Sequence, residues 1–204
     1  DELANLWLAR GEIYSEREGA EDKAIEAFDM ALSFDPGLNE ARRGLAQLFE
    51  RSGDWEQLLE MLQAIAAGGT PEQRAQALYK MADVSTHQLG DPGRAEEYLR
   101  ESVEIHPTRE ALERLEEICA AVPTRSAERM EILGRLVEFG PPWYEYCVKL
   151  GRNLLDEEPR HAWAILSPAL AIREVDNDLK GELKGMRREY ATPPIYTAPT
   201  ALYD

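Results

Sequence analysis

Cysteine is scarce in this chain: Cys119 and Cys147 are the two present in 204 residues. A disulfide framework needs more, so both are read as buried thiols on apolar helical faces. Positive charge is also short, with 23 Lys and Arg against 39 Asp and Glu, a net charge of −16. Nucleic acid and anionic membrane surfaces are excluded as partners on that balance, because each demands a positive footprint. No apolar run approaches the roughly 18 residues of a membrane-spanning helix. No segment alternates in period two with Val, Ile and Thr, so no strand is expected. A Gly-rich phosphate loop, a zinc-type Cys/His spacing and a nucleophile elbow are all missing. No enzyme, cofactor or metal is therefore expected. No signal peptide is visible, and a cytoplasmic location is the expectation.

What the chain has instead is a repeat. Gly11, Tyr14, Gly19, Ala24, Phe28, Ala31 and Pro36 recur 71 residues later as Ala82, Ser85, Gly90, Ala95, Leu99, Ser102 and Pro107. Small, apolar or proline character is kept throughout except at Tyr14, which becomes Ser85. A unit of similar plan lies between them, through Leu45, Ala46, Phe49, Gly53, Leu58, Leu62 and Ile65. The period is thus about 35 residues, which is that of a helical solenoid. Stacked helical hairpins generate a long concave surface, and binding is the trade such a surface suits.

Apolar residues fall at helical spacing along almost the whole chain. Leu3, Leu6, Trp7, Gly11 and Tyr14 form one face of the first helix, and Gly19 ends it. Turns are expected at Gly53, Gly90 and Pro123 as well. Thr70–Pro71–Glu72–Gln73 reads as an N-cap, a proline at the first helical position and a capping-box glutamine. A fourth hairpin carries Leu112, Leu115, Cys119, Leu133 and Leu136, and a fifth carries Trp143, Cys147, Gly151, Ala162, Leu166 and Ala169. The last three repeat the four-then-three spacing of Ala24, Phe28 and Ala31. Leu179, Leu183, Met186 and Tyr190 share one face of a final amphipathic helix, as the cap of a solenoid should. Residues 192–204 then hold three prolines, two tyrosines and a single charge, which is an extended tail.

Trp7, Gly11, Tyr14, Ala24, Phe28, Ala31 and Pro36 resemble the tetratricopeptide repeat signature, W-x2-L-G-x2-Y…A-x3-F-x2-A-x4-P, with Arg10 in the place of its Leu. The resemblance is strong over 3–107 and covers residues to 173 by period and small-residue spacing. It implies an all-α fold: a right-handed superhelical α-solenoid of about five hairpins over 1–173, a capping helix over 174–191 and an extended Pro-rich tail over 192–204. In that family the first helix of each hairpin supplies most of the inner surface. Carried over, this implies Asn5, Leu8, Glu12 and Ser15 from the first unit, with Glu16 beside them. It implies Glu40, Arg43, Gln47 and Glu50 from the second, Gln76, Tyr79, Asp83 and His87 from the third, and Glu110, Glu113 and Glu117 from the fourth. The groove so drawn is acidic. Members of the family that hold the acidic C-termini of chaperones use a Lys, Asn and Arg clamp. Here Leu8 and Glu12 stand where the first Lys and Asn belong, which argues against that ligand.

The expectation is a non-enzymatic scaffold that takes a protein or peptide partner, basic or apolar in character, into an acidic concave groove. A second reading is a structural module that assembles with its own copies or a neighbouring domain. A third is an adaptor regulated by its tail, with Ile195, Tyr196, Leu202 and Tyr203 as anchors that dock on a solenoid surface or drive self-association. Two further strings are read blandly. Glu158-x-x-His161 has the spacing of carboxylate metal sites in bundles but no second copy, so it is read as an acidic first turn. Pro193–Pro194–Ile195–Tyr196 could be read by a WW domain, and is taken as linker.

Overall fold

The structure is a computed structural model, and it describes residues 2–140, 143–155, 158–167, 181 and 184–186. Ten α-helices and one 3-10 turn are present among the described residues, and no strand. The chain divides into two compact units, Asp1–Leu115 and Glu116–Asp204.

The first unit is an α-solenoid built from three hairpins. α1 (Glu2–Ser15) pairs with α2 (Glu21–Phe34), α3 (Asn39–Ser52) with α4 (Trp55–Gly68), and α5 (Pro71–His87) with α6 (Pro92–Ile105). Successive hairpins join through α2 on α3 and α4 on α5. The expected turns are in place, because Gly19, Gly53 and Gly90 have φ of 74°, 81° and 66°, a region that favours glycine. At Gly53 the backbone N–H returns to the Phe49 carbonyl at 3.0 Å and closes α3. The capping box forms as the sequence implies: Gln73 N–H donates to Thr70 Oγ1 at 3.3 Å and Thr70 N–H to Gln73 Oε1 at 3.2 Å. Asp91 caps α6 by accepting the Arg94 N–H at 3.0 Å, with Pro92 in the first turn.

The repeat's small residues exist to admit one ring. A methyl group on Gly11 would lie 2.6 Å from the Phe28 ring, and one on Gly44 would lie 2.4 Å from it. Phe28 therefore wedges between α1 and α3 at a depth that a Cβ on either would forbid. Ala24 and Ala31 are fully buried beside it. Ser102, the counterpart of Ala31, keeps the place by donating its hydroxyl to the Ala75 carbonyl at 2.9 Å. One expectation is corrected here. Leu3 and Leu6 do not join the buried face of α1; they are 55% and 67% exposed, while Trp7, Leu8 and Tyr14 pack on the core.

α7 (Arg109–Ala120) runs across the division between the units. In the second unit Pro123–Arg125 makes a 3-10 turn where the sequence places one, followed by α8 (Ser126–Glu138), α9 (Trp143–Leu154) and α10 (Pro159–Leu166). α8 packs on α9, and α9 on α10. The wedge recurs once: a methyl group on Gly151 would lie 2.3 Å from Leu166 Cγ. Cys119 is buried as expected, whereas Cys147 is half-buried, and burial pushes its thiol above the usual range. Met186 packs on the cluster of Ala162, Trp163 and Leu166. Apart from 181 and 184–186, the capping helix expected at 174–191 lies outside the described residues, and so does the tail at 192–204 with Ile195, Tyr196, Leu202 and Tyr203.

Candidate functional site: a groove between α3 and α5

A groove of about 420 Å³ opens between α3 and α5, with α4 behind it. Its floor is Ala46, Leu62, Ile65 and Ala77. Its rim is Arg43 and Gln47 from α3 and Gln73, Gln76 and Lys80 from α5. The helical period builds this arrangement. Arg43 and Gln47 are four apart, as are Gln76 and Lys80, so each pair faces the same way from its helix. Small residues at 46 and 77 keep the floor low between them. Lys80 Nζ meets Glu50 Oε2 at 2.5 Å and ties α5 to α3. Arg43 makes no ion pair with any described residue and stands exposed at the rim. Gln73 is partly engaged, since its Oε1 belongs to the cap of α5.

Three of the residues expected in a groove, Arg43, Gln47 and Gln76, line this one together, and Glu50 stands against it through Lys80. Asp83 and His87 form a neighbouring group: His87 Nε2 lies 3.3 Å from Asp83 Oδ1, and Arg114 reaches the same carboxylate at 3.8 Å. Tyr79 is half-buried. Asn5 and Glu12 are exposed on α1, Leu8 packs partly into the core, and Glu16 is exposed in the turn that follows. Glu40, Glu110 and Glu117 are exposed and Glu113 half-buried, and Glu117 belongs to the second unit. At the groove itself the lining is amide, cationic and apolar, and Glu50 and Asp83, elsewhere on the same two helices, face cations.

Residues 75–109, which cover α6 and most of α5, match the sequence model of the tetratricopeptide repeat. Over that stretch the chain is similar to a tetratricopeptide repeat. Its fold is that of the crystal structure of MamA, with a TM-score of 0.53 at 15% identity over 97% of this chain and 99% of that one. Less close superpositions include YrrB, described as a tetratricopeptide-repeat protein with an unusual peptide-binding site. It has a TM-score of 0.49 at 21% identity, over 89% of this chain and 88% of that one. PilF of Pseudomonas aeruginosa has a TM-score of 0.48 at 16% identity, over 93% and 89%. No curated protein matches the sequence.

Sequence reasoning missed Lys80 and Gln73 as rim residues of this repeat groove. Lys80 lies four residues after Gln76 and so shares its face of α5. Also missed was a second depression of about 410 Å³ on the first unit, where Asp54, Glu56 and Glu60 surround Trp55, with Gly53, Gln57 and Leu89. It is assembled from the turn before α4 and from Leu89 beyond α5, so no single helical face announces it.

A buried charge cluster in the second unit was missed too. Glu116, on α7, is 2% exposed. Its Oε1 accepts from the Arg129 guanidinium of α8 at 2.6 Å and its Oε2 from Lys149 Nζ of α9 at 2.7 Å. Arg129 also donates to Asn153 Oδ1 at 3.0 Å. Burial pushes the Glu116 carboxyl upward, but the hydrogen bonds and charges of Lys149 and Arg129 outweigh it and hold it below the usual carboxylate range. Both carboxylate oxygens are thus engaged by cations from neighbouring helices. His161 Nδ1 pairs with Glu158 at the start of α10, and no group of three or more metal-ligating side chains gathers among the described residues.

Proposed function

We propose that the chain is a non-enzymatic interaction scaffold that holds a protein or peptide segment along the groove between α3 and α5. The observation that carries this reading is the groove's construction: an apolar floor of Ala46, Leu62, Ile65 and Ala77 with Arg43 and Gln47 along one side and Gln73, Gln76 and Lys80 along the other. An extended segment has unpaired backbone N–H and C=O groups, and Gln47 and Gln76 offer donors and acceptors for both. One apolar side chain of the segment would fill the floor. Because α3 and α5 are already fixed by Phe28, the capping box and the Lys80–Glu50 pair, the ordering cost falls mainly on the ligand. A net charge of −16 favours a segment with basic flanks, steered from a distance and screened by salt. The acidic depression around Trp55 is a further place where such a flank would rest. A cytoplasmic setting belongs to the same reading.

Selection of binding peptides from a displayed library against the intact chain tests this. Enriched peptides are expected to carry an apolar residue next to basic ones. Gln47→Ala with Gln76→Ala is expected to weaken them by roughly tenfold or more, the loss of one or two net hydrogen bonds. Unchanged affinity in that double variant moves the binding surface away from this groove.

A further inference from the structure

The packing of the first unit leaves one apolar face of α1 open. Leu3, Leu6 and Ile13 lie at helical spacing on it, 55%, 67% and 55% exposed. The repeat register identifies the face. An offset of 35 sets Leu6, Arg10 and Ile13 over Ala41, Leu45 and Leu48 of α3, and an offset of 71 sets them over Ala77, Met81 and Val84 of α5. All six counterparts are buried. α3 is met by α2 and α5 by α4, in each case an antiparallel neighbour reached through a short connection. Ala9 of α1 stands where α3 has Gly44, the residue on which the Phe28 ring of α2 rests. α1 thus presents the repeat's own docking face, small in the middle and apolar at both ends, with no antiparallel helix of this chain's described residues on it.

We propose that this face is covered by the same face of a second copy, the two α1 helices lying antiparallel about a two-fold axis near Leu8. The face is complementary to itself in that arrangement. Leu3 of one copy falls opposite Ile13 of the other, and Leu6 falls opposite Ala9 and Arg10, with the small Ala9 allowing close approach. Charge matches as well. The Arg10 guanidinium is folded over the Trp7 and Tyr14 rings, 4.8 and 5.4 Å from their centroids, and donates to Tyr14 Oη at 3.3 Å. That leaves the apolar stripe clear and holds the cation at its edge, toward the C-terminal half of α1. The two-fold axis brings Glu2 of the second copy opposite Tyr14, within reach of that cation, and repeats the pair by symmetry. One helix face per copy sits at the small end of stable interfaces, and two chains of net charge −16 repel, so the dimer is weak and reversible.

Sedimentation of the full chain from micromolar to millimolar concentration, with enough salt to screen the net charge, tests the proposal. The mass should rise from 23.1 kDa toward twice that value and level off. Leu6→Glu and Ile13→Glu change exposed side chains and should leave the helical circular dichroism and the melting temperature in place. Each should raise the dimer dissociation constant by roughly tenfold or more, and Glu2→Arg by a smaller factor. A mass that stays at 23.1 kDa over the whole range overturns the proposal. So does a dimer equally tight in Leu6→Glu and Ile13→Glu, which uses another surface. Growth past the dimer without a plateau overturns the two-fold arrangement.

Discussion

In the first unit, α1, α2 and α3 meet around the ring of Phe28; in the second, α7, α8 and α9 meet around the carboxylate of Glu116. The two centres do the same job with different physics. A buried ring between two glycines gains from apolar burial and dispersion, and its cost is a strict demand for small neighbours. A buried carboxylate between two cations gains from charge-assisted hydrogen bonds, and its cost is desolvation. The first solution is tolerant of pH and intolerant of volume. The second is the reverse.

The comparison is tested most sharply at its two centres. Phe28→Ala should remove about 3–5 kcal/mol from unfolding stability, the range for an aromatic side chain deleted from a packed core. Urea denaturation measures it, and a loss under about 1 kcal/mol would mean the ring is not the wedge described. Glu116→Ala leaves Arg129 and Lys149 facing one another, and should cost about 3 kcal/mol, the low end for a broken buried pair because Lys149 reaches solvent.

The same centre carries the pH dependence. Glu116 is held below the usual carboxylate range when folded, so it binds its proton more weakly in the native state than in the unfolded chain. Its stabilisation is therefore full above the ordinary carboxylate range and is lost as pH falls through that range to the native value. Glu116→Gln should flatten the acid side of the stability–pH curve, and Phe28→Ala should lower the curve without changing its slope. An unchanged acid slope in Glu116→Gln would remove the ionic centre from the account.

The smallest effects come from two helical glycines. Gly44→Ala gains helix propensity but drives a methyl group into the Phe28 ring, with a net loss of about 1–2 kcal/mol expected. Gly134→Ala, in α8, meets nothing within 4 Å and should stabilise the second unit by about 0.5–1 kcal/mol. Thermal melts of both variants should shift in opposite directions. A shift of the same sign in both would show that the space beside Gly44 is not what selects glycine there.

Much of this protein was legible in the chain itself. The period of the small and apolar residues, the glycines at the turns and the Thr70–Gln73 cap set the hairpins, because each of these acts over a few residues and leaves a local trace. Arg43, Gln47 and Gln76 came instead from the resemblance to the tetratricopeptide repeat, in which the first helix of each hairpin supplies the inner surface. What only the tertiary structure decided are relations between helices. Whether Leu3 and Leu6 are core or surface depends on whether a helix stands beside α1, and the spacing is identical in either case. That Lys80 answers Glu50, that Arg114 answers Asp83, and that Glu116 is buried while Glu117 faces solvent depend on which faces meet across hairpins. Periodicity assigns a side chain to a face of its own helix; only packing assigns that face a neighbour, and with it the charge, burial and chemistry of the site.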